Sequence, residues 1–515
     1  MGTNLIPILS QALQSLAAAI ITYWIYDHAV HFNVRRHLAR IPRIKSQETG
    51  SNEEKRQLYI RSAKALYNEG YETFTDQVYR MCNSSGEDSI VIPRKFLDEM
   101  RRLPEDTLSA GKAVADFLEV KYTKILAEED IVAHTIKADL TPALLRYNPV
   151  ISRVADEAIQ ADMPRCNDWT AIHVFDLLTK IVAKLSGRIF VGPDLFLQKE
   201  YLEMSLSYTH ELMAAQRRIK SMRPFLRPIL GHWTSEVRQL RMRERFAEKF
   251  FLPVVRARLE TQPSVDGKQP DDMLQWLLNR REQFQFDTMA KISKLQLGLI
   301  FTALHTTVMT ATNIFYSLAV TPQYIDELRT EIREAVADSG GTMDSKALSE
   351  MIKLDSYMKE VFRVYNFGSI SFLRKVLKGI TLSNGQYIPP GVDIEAPTYS
   401  IYHDSDLFPD PEKFDGFRSY KLRQESMSSD VQARNTFVNV NDQNLGFGYG
   451  RHACPGRFFA NNEIKMILAK LLLHHDVKMP DGLNERWPNI NNGAECMPDP
   501  TKTILFKKAK VPGIY

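Results

Sequence analysis

Phe447-Gly448-Tyr449-Gly450-Arg451-His452-Ala453-Cys454-Pro455-Gly456 is the stretch on which the reading of this chain turns. A thiolate that ligates haem iron must be shielded from water and oxidation while its sulfur accepts backbone N–H bonds. That need is met by a tight glycine-rich loop leading into a helix. The start of the helix also stabilises negative charge on sulfur. Gly450 and Gly456 permit such a loop, Phe447 can pack beneath a porphyrin, and His452 can reach a propionate. A lone cysteine is more often a small buried hydrophobe, and residue chemistry alone leaves that alternative open.

Outward from the loop, three further patterns appear in order along the chain. Lys359-Glu360-Val361-Phe362-Arg363 sets Glu360 and Arg363 on one helix face, where they can share an ion-pair network. Phe414-Asp415-Gly416-Phe417-Arg418 follows it, and Thr302-Ala303-Leu304-His305-Thr306-Thr307 precedes it within a long uncharged segment. A threonine hydroxyl in a helix can bond the carbonyl four residues back, loosening the ladder and leaving room for water and O2.

The decapeptide resembles the haem-binding signature of the cytochrome P-450 family, F-x-x-G-x-R/H-x-C-x-G, with every required position filled. The resemblance implies Cys454 as axial ligand of haem b, with Phe447 and His452 as haem contacts. Glu360 and Arg363 resemble the family's E-x-x-R pair, and Arg418 matches the arginine that completes that network. Arg374 is placed like the residue that meets a haem propionate. Thr306 falls on the threonine that directs protons during oxygen activation, and is expected to be catalytic. His305 stands where an acid is usual, so it is expected to relay protons, to touch substrate or to make a structural hydrogen bond. The chain departs from the family in two other places. Val364-Tyr365-Asn366-Phe367-Gly368 lacks the proline found in many relatives, and the helix expected to carry a W-x-x-x-R haem contact lacks that motif, leaving His134 and Lys137 as substitutes. The wording around the loop is most similar to fungal P-450s of terpenoid, gibberellin and indole-diterpene pathways.

Lys plus Arg total 66 against 62 Asp plus Glu, a balance that gives no support to a nucleic-acid partner. The four cysteines, Cys82, Cys166, Cys454 and Cys496, are too far apart for a disulfide framework or a CxxC pair. This usage fits a reducing, cytosol-facing compartment. The amino terminus carries no charge up to Tyr26, long enough to cross a hydrocarbon core of about 30 Å, and is followed by Arg35, Arg36, Arg40, Arg43 and Lys45. Residues 1–30 are expected to form a transmembrane anchor, 31–54 a basic linker and 55–515 a haem-thiolate catalytic domain. A second uncharged run, Leu295 to Tyr324, is rich in polar Thr and reads as a buried central helix instead of a span. Tyr324 to Ala337 reads as an amphipathic surface helix with Arg329 and Glu331 on its outer face, and Ile380 to Ile388 as a hairpin turning at Asn384-Gly385.

The expected fold is mainly α with small β-sheets, a cytochrome P-450 fold behind an N-terminal transmembrane helix. The expected function is a monooxygenase that inserts oxygen from O2 into a hydrophobic small molecule, of the terpenoid secondary-metabolite class. Electrons come from NADPH through NADPH-cytochrome P-450 reductase, with cytochrome b5 as a further candidate donor. The alternatives are a haem-thiolate isomerase or dehydratase, and a non-enzymatic haem-binding membrane protein. The expected location is the endoplasmic reticulum membrane, single-pass, with the catalytic domain facing the cytosol and membrane lipid as a partner. A basic apolar stretch, Arg217 to Trp233, is expected to touch that membrane.

Overall fold

The computed structural model describes scattered positions between 10 and 25 and residues 32–509, apart from 127–128, 261–268 and 287–288. The anchor expected over residues 1–30 lies mostly outside the described residues. The helices that place the site are α1 (Asn52–Thr73), α2 (Val174–Phe190), α3 (Lys199–Lys220), α4 (Ser235–Glu260), α5 (Met289–Leu318), α6 (Ile325–Asp338), α7 (Ile352–Val364) and α8 (Arg457–His474).

The uncharged run beyond Leu295 becomes α5, a helix of 30 residues that packs against α2, α3, α4, α7 and α8. Among the described residues it is the one helix long and apolar enough to cross a membrane, yet 67% of its most apolar window is buried in protein. It is the axis of the core, as its many hydroxyls and amide groups require. From Leu295 to Leu318 that burial is broken only at Phe301–Ala303, His305, Thr306 and Met309.

The strands are β1 (Tyr79–Cys82), β2 (Asp88–Val91), β3 (Leu108–Ser109), β4 (Thr170–Ile172), β5 (Ser371–Val376), β6 (Ile380–Thr381), β7 (Tyr387–Ile388), β8 (Asp393–Ala396), β9 (His475–Lys478), β10 (Asn489–Asn492), β11 (Glu495–Pro498) and β12 (Ile504–Lys508). The largest sheet has the order β1-β2-β8-β5-β3, in which only β2 and β8 run parallel. β5 slips register on β8 between Ser371 and Arg374. The slip coincides with Phe372, which is buried and holds φ at +55°. A non-glycine residue in the left-handed region bends the strand and re-aims the side chains beyond it, here Arg374. β6 and β7 form the expected hairpin, with Ile380 opposite Ile388 and Gly385 at φ +84°.

Tertiary packing corrects one expectation and adds contacts to a second segment. The polar face of α6 is not simply solvated. Arg329 is buried and donates to the carbonyls of Leu472 at 2.6 Å and His475 at 2.7 Å, closing the C-terminal end of α8. Glu331 accepts from the backbone N–H groups of Lys353 and Leu354, at 2.6 and 2.9 Å, closing the N-terminal end of α7. Residues 31–54, expected as a linker, are in part docked on the body. Ile41, Ile44 and Gln47 are buried, and Arg43 pairs with Asp88 of β2 at 2.6 Å. Apolar side chains between the basic ones supply the surface for docking.

α8 also buries a carboxyl. Glu463 is 1% exposed; its Oε1 accepts the Ser186 hydroxyl of α2 at 2.8 Å, and its Oε2 has no partner. Burial pushes its pKa up from 4.5 to about 8. The folded chain therefore keeps this proton where the unfolded chain has lost it, so stability falls as pH rises from about 5 to about 8. Glu463→Gln removes that slope. Its melting temperature should rise relative to wild type across this interval and hold a constant advantage above it; parallel melting curves at all pH values would refute the assignment.

Candidate functional site

The cysteine loop begins where α7 is tied down. Arg363 grips Glu360 with two bonds of 2.9 Å, Arg418 adds a third contact to Glu360 at 3.3 Å, and Glu360 and Arg363 are 3% and 4% exposed. Arg363 also donates to the carbonyl of Tyr402 at 2.7 Å. The Tyr402 hydroxyl in turn accepts from the Gly446 N–H at 2.9 Å and donates to Asn444 Oδ1 at 2.9 Å. The Ser371 hydroxyl of β5 donates to the Leu445 carbonyl at 2.8 Å. The network expected from Glu360, Arg363 and Arg418 is thus assembled, and it reaches Gly446, the residue just before the loop, through one tyrosine.

Within the loop the Cys454 N–H donates to the Phe447 carbonyl at 2.7 Å, closing a turn. Gly448 and Gly450 make it, with φ of +79° and +73°; Gly456, expected to share this role, has an ordinary φ of −86° and caps α8. A Cβ on Gly448 would stand 3.3 Å from the His452 carbonyl and 3.4 Å from the Ala453 Cα. Cys454 is half-buried, and burial pushes its thiol up while the N–H groups of Gly456 and Arg457 and the Arg457 guanidinium favour the thiolate. Phe447 packs on Phe437 and Phe362, with ring centroids 5.1 and 5.3 Å away.

Beside the loop, Arg101, Arg374, Arg451 and His452 line one small cavity with Phe372 and Tyr449. Arg374 is 8% exposed, donates to the Leu373 carbonyl at 2.8 Å and stacks 4.4 Å from the Phe372 ring. His452 Nε2 lies 2.9 Å from Glu105 Oε2 and 3.1 Å from Arg451 Nε. Burial and the nearby Arg374 hold its pKa down against the pull of Glu105. Sequence reading missed Arg101, Arg451 and Glu105. Arg451 lay inside the quoted loop, whereas Arg101 and Glu105 sit in no motif. His134 and Lys137 face solvent, His134 beside Arg280 at 3.1 Å, so neither replaces the absent W-x-x-x-R contact.

Thr306 and His305 stand on the opening in α5, apart from the loop. Thr302, Thr306 and Thr310 each donate to the carbonyl four residues back, at 3.0, 3.0 and 2.8 Å. These bonds hold three hydroxyls in register along one side of the helix. The His305 side chain makes no hydrogen bond among the described residues, and its buried Nε2 is without a partner, so the structural bond is not formed. Burial, then the charge of His210 on α3, brings its pKa down to about 4, leaving a neutral imidazole.

A sulfur with N–H donors at a helix start, a cationic cavity fit for carboxylates and a separate hydroxyl-bearing helix suit a haem. The family model for cytochrome P450 matches residues 131–505. The chain belongs to the cytochrome P450 family. It is 36% identical to cytochrome P450 monooxygenase ATR3 of Stachybotrys chlorohalonatus over 426 residues, 82% of this chain and 89% of that one. It is 33% identical to cytochrome P450 monooxygenase paxP of Penicillium paxilli, over 87% and 86% of the two chains. It is 30% identical to ent-kaurene oxidase P450-4 of Gibberella fujikuroi, over 87% and 88%. Retinoic acid bound cyanobacterial CYP120A1 shares the fold, with a TM-score of 0.66, 16% identity and coverage of 88% and 96%. This P450 is therefore a monooxygenase related to those of fungal secondary metabolism, with haem b as cofactor, a redox partner and a hydrophobic substrate.

Proposed function

We propose that this P450 inserts one atom of O2 into an apolar, terpenoid-type metabolite, with electrons drawn from NADPH through a membrane-bound reductase and cytochrome b5 as a second donor. The observation that carries the reading is the Cys454 loop, whose turn, closed by the Cys454 N–H on the Phe447 carbonyl, sets the cysteine just ahead of α8. An ent-kaurene oxidase among the relatives supports the terpenoid class. When bound, a thiolate-ligated haem supplies reductive activation of O2. Cys454 would ligate it, Phe447 would lie beneath it, and Arg374 and His452 would face its propionates, with Arg101 and Arg451 enlarging the cationic wall.

The chain's own part is to exclude water and place protons. Thr306 Oγ1 holds its proton on the Thr302 carbonyl and can turn it toward the opening in α5. His305, neutral and with one nitrogen unpartnered, either feeds that hydroxyl or holds a polar group of the substrate. Membrane attachment is proposed at two places. Residues 1–30 form the anchor, supported by the exposed Ile21 and Ile25, and residues 31–54 join it to the catalytic domain. The stretch after α3 adds a contact through Phe225, Ile229, Leu230 and Trp233, which are 46–73% exposed among arginines. The endoplasmic reticulum membrane, with the catalytic domain toward the cytosol, is the location this arrangement fits.

Three measurements test these assignments. Cys454→Ala should abolish the red-shifted ferrous–CO band of the purified protein; a variant that keeps the band disqualifies Cys454 as ligand. Thr306→Ala should keep haem and substrate binding yet divert electrons to peroxide or water, measured as product per NADPH. If His305 feeds Thr306, His305→Asp should retain coupling and His305→Leu should lose it, by about 10²- to 10⁴-fold in proton-transfer assistance. Intact coupling with weakened substrate binding in His305→Leu would place His305 in the substrate pocket. Deleting residues 1–26 should release most of the protein from membranes while leaving a salt-sensitive residue of binding; unchanged tight binding would count against the anchor.

A further inference from the structure

The chain between the short helix Ser429–Arg434 and the cysteine loop is neither helix nor strand, and many of its backbone bonds are local, as from the Thr436 N–H to the Ala433 carbonyl and from the Asn439 N–H to the Thr436 carbonyl. Its placement therefore depends on side chains of the body. Arg94 pairs with Asp442, the Tyr402 hydroxyl donates to Asn444, and Lys359 Nζ of α7 donates to the Arg434 carbonyl at 2.7 Å. In the middle lies the buried Phe437, whose N–H donates to Asp355 Oδ2 at 2.8 Å and has no other acceptor among the described residues.

Asp355 stands on α7 five residues before Glu360, on a different side of the helix. It is buried with both oxygens engaged, Oδ2 by Phe437 and Oδ1 by Lys465 Nζ of α8 at 2.8 Å. Lys465 is buried too and also donates to the Leu348 carbonyl at 3.1 Å. Such an ion pair contributes little net stability, because an apolar pair of similar volume avoids the desolvation. What an apolar pair cannot do is accept the Phe437 N–H, a buried donor that needs an acceptor.

From Phe437 the path to the sulfur is short. Its ring meets those of Phe447 and Phe362 nearly edge-on, with centroids 5.1 and 5.4 Å away and interplanar angles of 78° and 69°. Edge-to-face packing is directional, so a ring that shifts with its backbone displaces its neighbours. Phe447 is joined to the cysteine directly, since its carbonyl accepts the Cys454 N–H.

We propose that Asp355 is a positioning residue that, through the Phe437 N–H, fixes the ring behind Phe447 and so holds the turn in which Cys454 keeps its thiolate. The proposal rests on the haem-thiolate reading given above. Lys465 neutralises the carboxylate and links it to α8, the helix that follows the cysteine, while the N–H bond carries the positioning.

The test uses the haem-loaded full chain and times, in native buffer, the decay of the red-shifted ferrous–CO band to the unshifted form that marks loss of the thiolate. Asp355→Leu with Lys465→Met keeps the bulk and removes the acceptor, and should speed the decay roughly tenfold, the effect of one buried hydrogen bond. Asp355→Asn with Lys465→Met removes the same charges but leaves an amide oxygen for the Phe437 N–H, and should decay at the wild-type rate. If the two double variants behave alike, the N–H bond is not what matters and the proposal is overturned. Ile181→Ala, which opens a cavity on the buried face of α2, should lower the melting temperature and leave the decay at the wild-type rate. If it speeds the decay as much as the leucine variant does, only global stability is at work, which also overturns the proposal. Phe437→Leu keeps the N–H bond and removes the ring, and should decay as fast as the leucine variant. A wild-type rate there overturns the proposal even where the leucine variant fails to fold. The wild-type band reports on the site independently: its absence overturns the haem-thiolate reading, and the role of Asp355 with it.

Discussion

One carboxylate holds the proximal half of this P450 together. Glu360 accepts from Arg363, from Arg418 and, at 3.1 Å, from the Asp415 N–H, while the two arginines spread outward to the carbonyls of Tyr402, Pro409, Pro411 and Lys413. Segments far apart in sequence are thereby tied to a single buried charge. Such a cluster adds modest net energy, because desolvation offsets most of its Coulombic attraction, but it leaves few alternative arrangements. The Tyr402 hydroxyl extends that order to Gly446, so the geometry at Cys454 depends on an ion pair on another helix.

The polar side of α6 works in the same manner. Arg329 and Glu331 close the exposed backbone ends of α8 and α7, the helices that follow the cysteine and carry Glu360. Around the site, charges are used to finish helices whose ends would otherwise be buried with unsatisfied groups.

The parts of the site that were legible in the sequence are those in which chemistry and spacing lie in one short segment. Cys454 with its glycines, Glu360 with Arg363, and the Thr302 to Thr307 run could all be read because local backbone geometry dictates their relation. Residues brought in by tertiary structure could not. Arg101 reaches the cavity beside the loop, and Glu105 reaches His452, only through the tertiary fold, and Phe372 aims Arg374 through a left-handed backbone that no phenylalanine advertises. The same limit explains Arg329, whose helical position is that of a surface residue until α8 ends against it. Glycines divided along similar lines: a loop was expected, but which glycines turn it depended on how closely His452 and Ala453 approach Gly448.

The pairing of β2 with β8 places Ser89 opposite Asp393 and Ile90 opposite Ile394, partners separated by most of the chain. Loop closure over such a span costs entropy before any contact rewards it, so this sheet forms late and folding is slowed accordingly. During synthesis, the β1–β2 hairpin must wait with an open edge until residues 393–396 have left the ribosome, and the cysteine loop emerges later still. The cofactor can therefore be captured only after both segments have emerged, which ties the timing of assembly to the later one.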